Sequence, residues 1–238
     1  MIIYGRNTVI EALNSSHTSE ELFLQENINE DNKISSILKL ARTAEVPIKF
    51  ITPKELRKLT NSDEHQGVAL KINFKESHLK DILPEAQKAF IYISDATYEH
   101  NVGAIIRTAE CAGFEGVIIP SDIKITPIIA KISTGAVFNI PIIRNSVFNT
   151  IKAFKDNGYY VCGIERGGKQ LFESSAPINT LFIIGSEDKG LTEPVAKQCD
   201  DLVEIPQFGQ VNSLNMSVAS AVVIYNYLRD NISDIKNL

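Results

Sequence analysis

Short apolar runs that recur from residue 89 onward constrain the fold of this chain more than any other feature. They occupy 90–93, 117–119, 140–143, 159–162, 181–184 and 202–205. The runs lack the alternation of half-exposed strands, and helical patterns separate them, which is typical of parallel strands covered on both faces. The sequence therefore predicts an α/β domain built on a buried parallel sheet.

A second, smaller α/β pattern precedes this one. In the first seventy residues, apolar residues at helical spacing alternate with two strand-like runs. Thr52, Pro53 and Glu55 have the identities of a helix N-cap, a first helical residue and an acidic first turn. Residues 73–88 are charged and lack a sustained apolar run, as linkers do. We therefore predict a small domain over 1–72, a linker over 73–88 and a larger domain over 89–238.

The charge balance gives no general support to nucleic-acid binding. The formal net charge is −5 over 238 residues, whereas phosphate contacts usually show as a basic excess. A local basic patch is compatible with this balance, because eight basic residues lie in the first sixty: Arg6, Lys33, Lys39, Arg42, Lys49, Lys54, Arg57 and Lys58. An ordinary surface of mixed charge would contain the same residues.

Location and metal content follow from what the sequence lacks. No apolar run approaches the roughly 18 residues of a membrane helix, and none of signal-peptide length opens the chain, so we expect a cytoplasmic protein. The four histidines and three cysteines show no ligand spacing. We therefore expect no metal site.

The first group of candidate site residues follows the run at 90–93. Four apolar residues at helical spacing predict a helix with one buried stripe: Val102, Ile105, Ile106 and Ala109. Asn101 is placed to cap this helix and Gly113 to end it. Arg107 lies at the edge of the stripe, where a guanidinium reaches a cleft while its stem packs. An ordinary surface arginine would show the same pattern.

The second group follows the run at 181–184. Gly185 is expected at the carboxyl end of a parallel strand, the edge at which α/β sheets bind ligands. Residues 185–191 read Gly-Ser-Glu-Asp-Lys-Gly-Leu. The two glycines permit close backbone approach or a positive φ, and Glu187 would place a carboxylate in the same cleft. The alternative interpretation is a glycine-rich turn with an incidental glutamate.

The third group leads from the run at 202–205 into the last predicted helix, which we expect to begin near Ser213. Ser213 and Asn215 have the identities of N-caps. Residues 217–224 carry no charge, so this helix is predicted to be buried on all sides, by its own domain or by a second subunit. A homodimer through this helix is the resulting hypothesis.

Residues 163–169 resemble a phosphate-binding P-loop. Gln170 stands where that motif needs a serine or threonine to hold magnesium, and Pro177 leaves little room for the helix that should follow. No fingerprint of three spaced glycines follows any predicted strand either. Nucleotide hydrolysis and dinucleotide binding are therefore not expected.

Taken in order and at these separations, the three groups resemble the motifs of the SpoU (TrmH-type) RNA ribose 2'-O-methyltransferases, a branch of the SPOUT superfamily. Residues 3–13 and 65–68 look like the two ends of the small N-terminal domain found in the family's 23S rRNA guanosine type. The resemblance implies a SPOUT parallel-sheet domain with a deep trefoil knot, preceded by a small L30e-like α/β domain that binds the RNA substrate.

The resemblance also implies roles for single residues. The positions that match the family's catalytic set are Asn101, Arg107, Glu187, Ser213 and Asn215. The positions that match its S-adenosylmethionine contacts are Gly185, Ile205 and Leu214. Three departures from the family pattern occur: 98–100 read Tyr-Glu-His where Asp-Pro is common, Asp188 replaces a glycine, and Gln207 replaces a methionine.

The predicted function is therefore the S-adenosylmethionine-dependent methylation of a ribose 2'-hydroxyl in RNA, with a guanosine of 23S rRNA as the leading substrate. Transfer RNA is the nearest rival substrate. A non-catalytic RNA-binding factor for ribosome assembly is the alternative from another class, and the acidic charge balance agrees with it.

Overall fold

The computed structural model describes residues 1–186, 189–211 and 213–236. These residues form two compact units. Unit 1 consists of Met1–Lys75 together with Ile125–Asn139, and unit 2 consists of Glu76–Lys124 together with the chain from Ile140 onward. The chain thus first passes from one unit to the other between Lys75 and Glu76, within the segment that the sequence indicates as a linker.

Strands and helices alternate along the described residues. The strands are β1 (Ile2–Tyr4), β2 (Thr18–Gln25), β3 (Ile48–Ile51), β4 (Val68–Asn73), β5 (Phe90–Ile93), β6 (Gly116–Ile119), β7 (Ile142–Arg144), β8 (Tyr160–Gln170), β9 (Thr180–Ile184) and β10 (Asp201–Glu204). The α-helices are α1 (Arg6–Asn14), α2 (Asn32–Thr43), α3 (Pro53–Thr60), α4 (Leu79–Ile82), α5 (Glu99–Cys111), α6 (Pro127–Ile132), α7 (Val147–Asp156), α8 (Glu193–Ala196) and α9 (Met216–Ile235). Short 3-10 turns occur at Leu83–Glu85, Ala136–Phe138 and Leu171–Glu173.

Unit 1 is a small α/β unit with a four-stranded mixed sheet in the order β1-β4-β2-β3. Strands β2 and β3 are parallel, and β4 is antiparallel to both of its neighbours. Helix α3 begins with the predicted signals: the Thr52 hydroxyl accepts the N–H of Glu55, and the Glu55 carboxylate accepts the N–H of Thr52. This capping box satisfies two N–H groups that a helix N-terminus leaves open.

The segment Ile125–Asn139 belongs to unit 1, although the sequence-based domains assign it to 89–238. Its contacts explain the assignment. The Asn139 amide donates to the Glu11 carboxylate at 2.9 Å, and the ring of Phe138 packs edge-on against His17 and Phe74. Gly135 has φ +95, and an added Cβ would lie 2.5 Å from Glu11 Cβ. No sequence pattern predicts this docking, because its contacts join distant residues such as Glu11 and Asn139, which are 128 positions apart.

Unit 2 is built on a six-stranded sheet in the order β10-β8-β9-β5-β6-β7, and every recorded pair of neighbouring strands is parallel. Every residue of β5, β6 and β9 is buried. A parallel sheet covered on both faces is what continuous apolar runs produce. The predicted α/β class and the predicted parallel sheet are therefore confirmed, and the deep trefoil knot stays a prediction.

The end of the segment 73–88 is structured. It contains α4 and the 3-10 turn Leu83–Glu85, and Leu83 is 4% exposed in a core formed by residues of β5, β8 and β9. Ser77 forms a parallel bridge to Ile143. Few apolar residues suffice for this packing because each of them lies against the sheet.

Two local expectations were wrong. Asn101 is not the N-cap of α5: the helix begins two residues earlier, at Glu99, with Tyr98 in the cap position, and the Asn101 side chain is engaged elsewhere. Helix α9 begins at Met216, and its N-cap is Asn215 rather than Ser213. The predicted stripe of α5 is confirmed, since all four of its apolar residues are buried, and Gly113 follows the helix with φ +73.

Candidate active site

A cavity of about 480 Å³ opens at the carboxyl ends of the strands β9 and β10 of unit 2, beside the middle of β8. It is lined by residues 164–166 of β8, the loop after β9, the loop after β10 and the first turn of α9. We call this cavity the strand-end pocket. The loops after the parallel strands β9 and β10 leave the same edge of the sheet, which is the ligand-binding position of open α/β sheets.

The pocket brings together four of the residues selected from the sequence: Gly185, Ile205, Ser213 and Leu214. Gly185 comes from the second motif, and the other three come from the third. The two motifs are separated in sequence but line one cavity. The volume lies within the range of roughly 300–1,000 Å³ that small-molecule sites usually have.

The loop after β9 folds tightly back on itself. Ser186 N–H donates to Gly190 O at 3.1 Å, and Gly190 N–H donates to Ser186 O at 2.9 Å. An added Cβ on Gly185 would lie 2.3 Å from the backbone carbon of Gly190. Backbone therefore passes against backbone here, which only a glycine allows. Glu187, a predicted catalytic residue, lies outside the described residues.

Glu165 and Glu204 are pocket residues that the sequence did not single out. The Glu165 carboxylate accepts the N–H groups of Arg166 and Leu191. The Glu204 carboxylate accepts the N–H of Gly167 at 2.8 Å and the amide of Gln170. Glu165 lies in the P-loop-like stretch, which is part of strand β8, and Glu204 lies at the end of the neighbouring strand β10. A glutamate at the carboxyl end of an apolar run was the available signal.

The first and third motifs meet where α5 and α9 pack together. The Asn215 amide donates to Asn101 Oδ1 at 3.1 Å. Asn215 Oδ1 in turn accepts the N–H of Ser217 at 2.9 Å and its hydroxyl at 2.6 Å. Asn215 thus caps α9 and joins it to α5, while Asn101 is buried in the first turn of α5.

Arg107 lies apart from these groups. Its side chain is exposed on α5, and it is not among the residues that line the strand-end pocket. Within the described ranges, its guanidinium makes no salt bridge and no hydrogen bond. A guanidinium that is exposed on a helix face, with neither kind of contact in the described ranges, is available to a charged substrate.

The outer face of α9 is apolar and exposed. Val218, Tyr225 and Ile232 recur every seven residues and are 49%, 50% and 43% exposed. The opposite face is buried, and there Tyr227 Oη donates to Ile178 O at 2.7 Å and the Asn231 amide donates to Ala176 O at 3.1 Å. The chain alone therefore does not bury the helix on all sides, and burial of this face by a second subunit stays a prediction.

Other kinds of site find no support in the described part of the chain. It contains no group of three or more His, Cys, Asp or Glu arranged to bind a metal ion. None of its helices combines the length and the apolarity that crossing a bilayer requires.

Comparisons with known proteins agree with this geometry. Residues 88–225 match the SpoU rRNA Methylase family, and residues 2–78 match the family described as RNA 2'-O ribose methyltransferase substrate binding. A putative TrmH family tRNA/rRNA methyltransferase of Staphylococcus saprophyticus is 37% identical over 239 residues, which cover 96% of this chain and 95% of the relative.

Two solved structures share the fold of both units. The SpoU methyltransferase AviRb from Streptomyces viridochromogenes, in complex with AdoMet, has a TM-score of 0.83 at 24% identity and covers 98% of this chain and 91% of its own. An AdoMet-bound rRNA methyltransferase from Sinorhizobium meliloti has a TM-score of 0.82 at 23% identity, covering 96% of this chain and 87% of its own. The resemblance found in the three motifs is confirmed, and the chain belongs to the SpoU rRNA methylase family of RNA 2'-O-ribose methyltransferases.

Proposed function

We propose that this protein uses S-adenosylmethionine to methylate the 2'-hydroxyl of a guanosine in 23S rRNA. The observation that carries the proposal is the convergence of the second and third motifs on the strand-end pocket. The family provides the reaction class, and the pocket provides a place in this chain for the methyl donor.

The residues of the pocket fit S-adenosylmethionine. Glycine backbone and the apolar side chains of Ile205 and Leu214 offer a surface for a purine ring. Arg166 and Lys189 offer cations for a carboxylate, and Glu204 offers a carboxylate for hydroxyl or cationic groups. When bound, S-adenosylmethionine supplies an electrophilic methyl group on a cationic sulfur. We assign Gly185, Ile205 and Leu214 to its binding.

Arg107 is proposed to act on the RNA. The 2'-hydroxyl is a poor nucleophile until its proton leaves, and negative charge then develops on its oxygen. A guanidinium stays protonated in proteins and rarely gives up a proton, so it suits charge stabilisation better than general base catalysis. Its planar fork also matches a neighbouring phosphate. We therefore propose that Arg107 stabilises the developing alkoxide and holds the adjacent phosphate.

Asn101, Ser213 and Asn215 are proposed to fix the geometry around the reacting ribose. The hydrogen bond between Asn215 and Asn101 couples the starts of α9 and α5. Ser213 lines the pocket two residues before the cap of α9. Glu187 remains a proposed catalytic residue on the strength of the motif alone. Holding reactants in attack geometry supplies much of the rate in such transfers.

Ribosomal RNA is favoured as the substrate. The matched family is described as rRNA methylases, and the neighbour from Sinorhizobium meliloti is an rRNA methyltransferase. Transfer RNA is the alternative because the name of the Staphylococcus saprophyticus relative includes both. Residues 1–72 are the proposed RNA-binding domain, 73–88 the linker and 89–238 the methyltransferase domain. A cytoplasmic location accords with such a substrate.

A homodimer is proposed through α9. Exposed apolar residues at a spacing of seven form one stripe along a helix and favour a helical partner. Val218, Tyr225 and Ile232 form such a stripe. A monomeric mass in light scattering at micromolar protein concentration would refute this part of the proposal.

The experiment that tests the function is methyl transfer from isotope-labelled S-adenosylmethionine to unmodified 23S rRNA and to unmodified tRNA. We expect label in the rRNA, and nuclease mapping should locate it on one ribose 2'-oxygen. Label in tRNA alone would replace the substrate. Donor binding without label in either RNA would favour the non-catalytic assembly factor.

A further inference from the structure

Glu165 is the pocket residue whose contacts are not explained by the roles proposed so far. It lies on β8 and is partly buried. Its carboxylate accepts hydrogen bonds from two backbone N–H groups, those of Arg166 and Leu191. Leu191 ends the 185–191 loop, so this carboxylate joins β8 to the loop that follows the neighbouring strand.

Gly190 completes the same junction. It has φ +61, and an added Cβ would lie 2.3 Å from Glu165 Oε2. The carboxylate therefore packs directly against the Cα of Gly190. Because Gly190 in turn lies against Gly185, the position of the Glu165 carboxylate sets how the loop backbone closes one wall of the pocket.

We propose that Glu165 is a positioning residue for the methyl donor, whose carboxylate holds the backbone of Gly190 and Leu191 in the position that receives the ligand. The proposal rests on the proposed function in taking the ligand to be S-adenosylmethionine. A carboxylate suits this task because its two oxygens serve two N–H donors at once. Its charge also makes each hydrogen bond roughly twice as strong as one to a neutral acceptor.

The first test is Glu165→Gln, which replaces one carboxylate oxygen by an NH2 group. One of the two backbone N–H groups then faces a donor instead of an acceptor. The matched control is Glu193→Gln, the same change on an exposed glutamate of α8 that pairs with Lys197. Calorimetry with S-adenosylmethionine and with S-adenosylhomocysteine should show both dissociation constants rising by the same factor, roughly 10-fold, in the first variant alone.

Two calorimetric results would overturn the proposal. One is unchanged affinity in Glu165→Gln, because the loop would then hold its position without the carboxylate. The other is a loss of affinity confined to S-adenosylmethionine. The carboxylate would then contact the positively charged sulfur directly, and the sulfur of S-adenosylhomocysteine carries no such charge. Positioning of the loop affects the binding of both compounds alike.

A second test needs no ligand. Hydrogen exchange of the peptide that contains Leu191 should be faster in Glu165→Ala, which removes both acceptor oxygens, than in the wild type and in Glu193→Ala, since the Leu191 N–H loses its acceptor. Equal exchange in all three proteins would refute the role of Glu165. A wild type that binds no S-adenosylmethionine would instead refute the proposed function, so the two failures are distinguishable.

A double-mutant cycle gives a third readout. Gly190→Ala pushes a Cβ into the Glu165 carboxylate, and Glu165→Ala removes that obstacle, although the strain of a positive φ remains. The loss of donor affinity caused by Gly190→Ala should therefore be several-fold smaller in the Glu165→Ala background. Additive losses would contradict the contact on which the proposal rests.

Discussion

In the strand-end pocket, backbone and side-chain groups contact one another within the chain, whereas the groups on the exposed surface that carries Arg107 face solvent. In the pocket, backbone lies against backbone at Gly185, and both glutamates are already engaged by N–H groups. On the surface, Arg107 makes no ion pair within the described residues, and apolar residues of α9 face outward. The difference separates two kinds of variant: changes in the pocket should alter donor affinity, and changes on the surface should alter turnover or assembly.

The largest effect is expected for Arg107→Lys. Lysine keeps the charge but loses the planar fork, so kcat should fall by about 100-fold or more, in line with losses of other charge-stabilising donors. The dissociation constant for S-adenosylmethionine should stay unchanged, because Arg107 does not line the pocket. Single-turnover kinetics together with calorimetry measures both quantities. A variant that retains most of its turnover would contradict the role of the guanidinium.

Gly185→Ala should show the opposite pattern. The added Cβ meets the backbone of Gly190, which cannot move aside as a side chain can. Donor affinity should fall by about 100-fold, the upper range for overpacking. Gly209→Ala is the control, because nothing lies within 4 Å of its added Cβ. Similar affinities for the two variants would show that the pocket wall is not as tight as the structure indicates.

Val218→Asp tests the assembly side of the comparison. A carboxylate at the first position of the apolar stripe of α9 should raise the dimer dissociation constant by roughly 30-fold, the effect of losing an interface hot spot. Donor binding should change little, since Val218 is exposed and does not line the pocket. Sedimentation equilibrium measures the mass. An unchanged mass distribution would place any dimer contact elsewhere.

Asn215→Ala affects the junction between the two regions. It removes the N-cap of α9 and the hydrogen bond to Asn101. The free energy of unfolding should fall by about 1 kcal/mol, the usual cost of a lost cap. Asn101→Ala leaves the cap intact and is the comparison. Urea denaturation should show the larger loss in Asn215→Ala, and a loss in Asn101→Ala that equals or exceeds it would contradict a contribution of the cap.

The smallest effect concerns Asp201 of β10. Hydrogen bonds from Lys169 and then from Tyr160 hold the pKa of its carboxyl below the ordinary value. A lowered pKa means that this stabilisation is present above the unfolded pKa of about 4 and is lost as the pH falls through the folded pKa. Between about pH 5 and pH 3, the wild type should lose stability more steeply than Asp201→Asn. Equal slopes in thermal melts would exclude the contribution.

The parallel sheet of unit 2 could be predicted from the sequence because each of its strands overlaps one of the short apolar runs. The sequence predicted less of the pocket. Residues 163–169 and 185–191 both contain glycines and charged residues, yet the first stretch is strand, whereas Ser186 and Gly190 of the second exchange two backbone hydrogen bonds. Gly168 allows β8 to lie against the backbone of Leu202, while Gly185 allows the loop to lie against Gly190. Only the neighbour in space distinguishes these two uses of glycine.

The role of Asn215 shows the same limit. Its residue type indicated a cap, but Ser213 was the equal candidate until the structure located the helix start at Met216. The bond to Asn101 joins residues 114 positions apart, and local spacing carries no information about such a pair. The family resemblance assigns both asparagines to one predicted catalytic set but gives no geometric reason. The packing of α5 on α9 brings the two side chains within hydrogen-bond distance.

A crystal structure of the protein soaked with S-adenosylhomocysteine tests the central claim most directly. We expect electron density for the ligand in the strand-end pocket, with contacts to Gly185, Ile205 and Leu214. Density for the ligand at any other place, or a pocket that stays empty at saturating concentration, would contradict it.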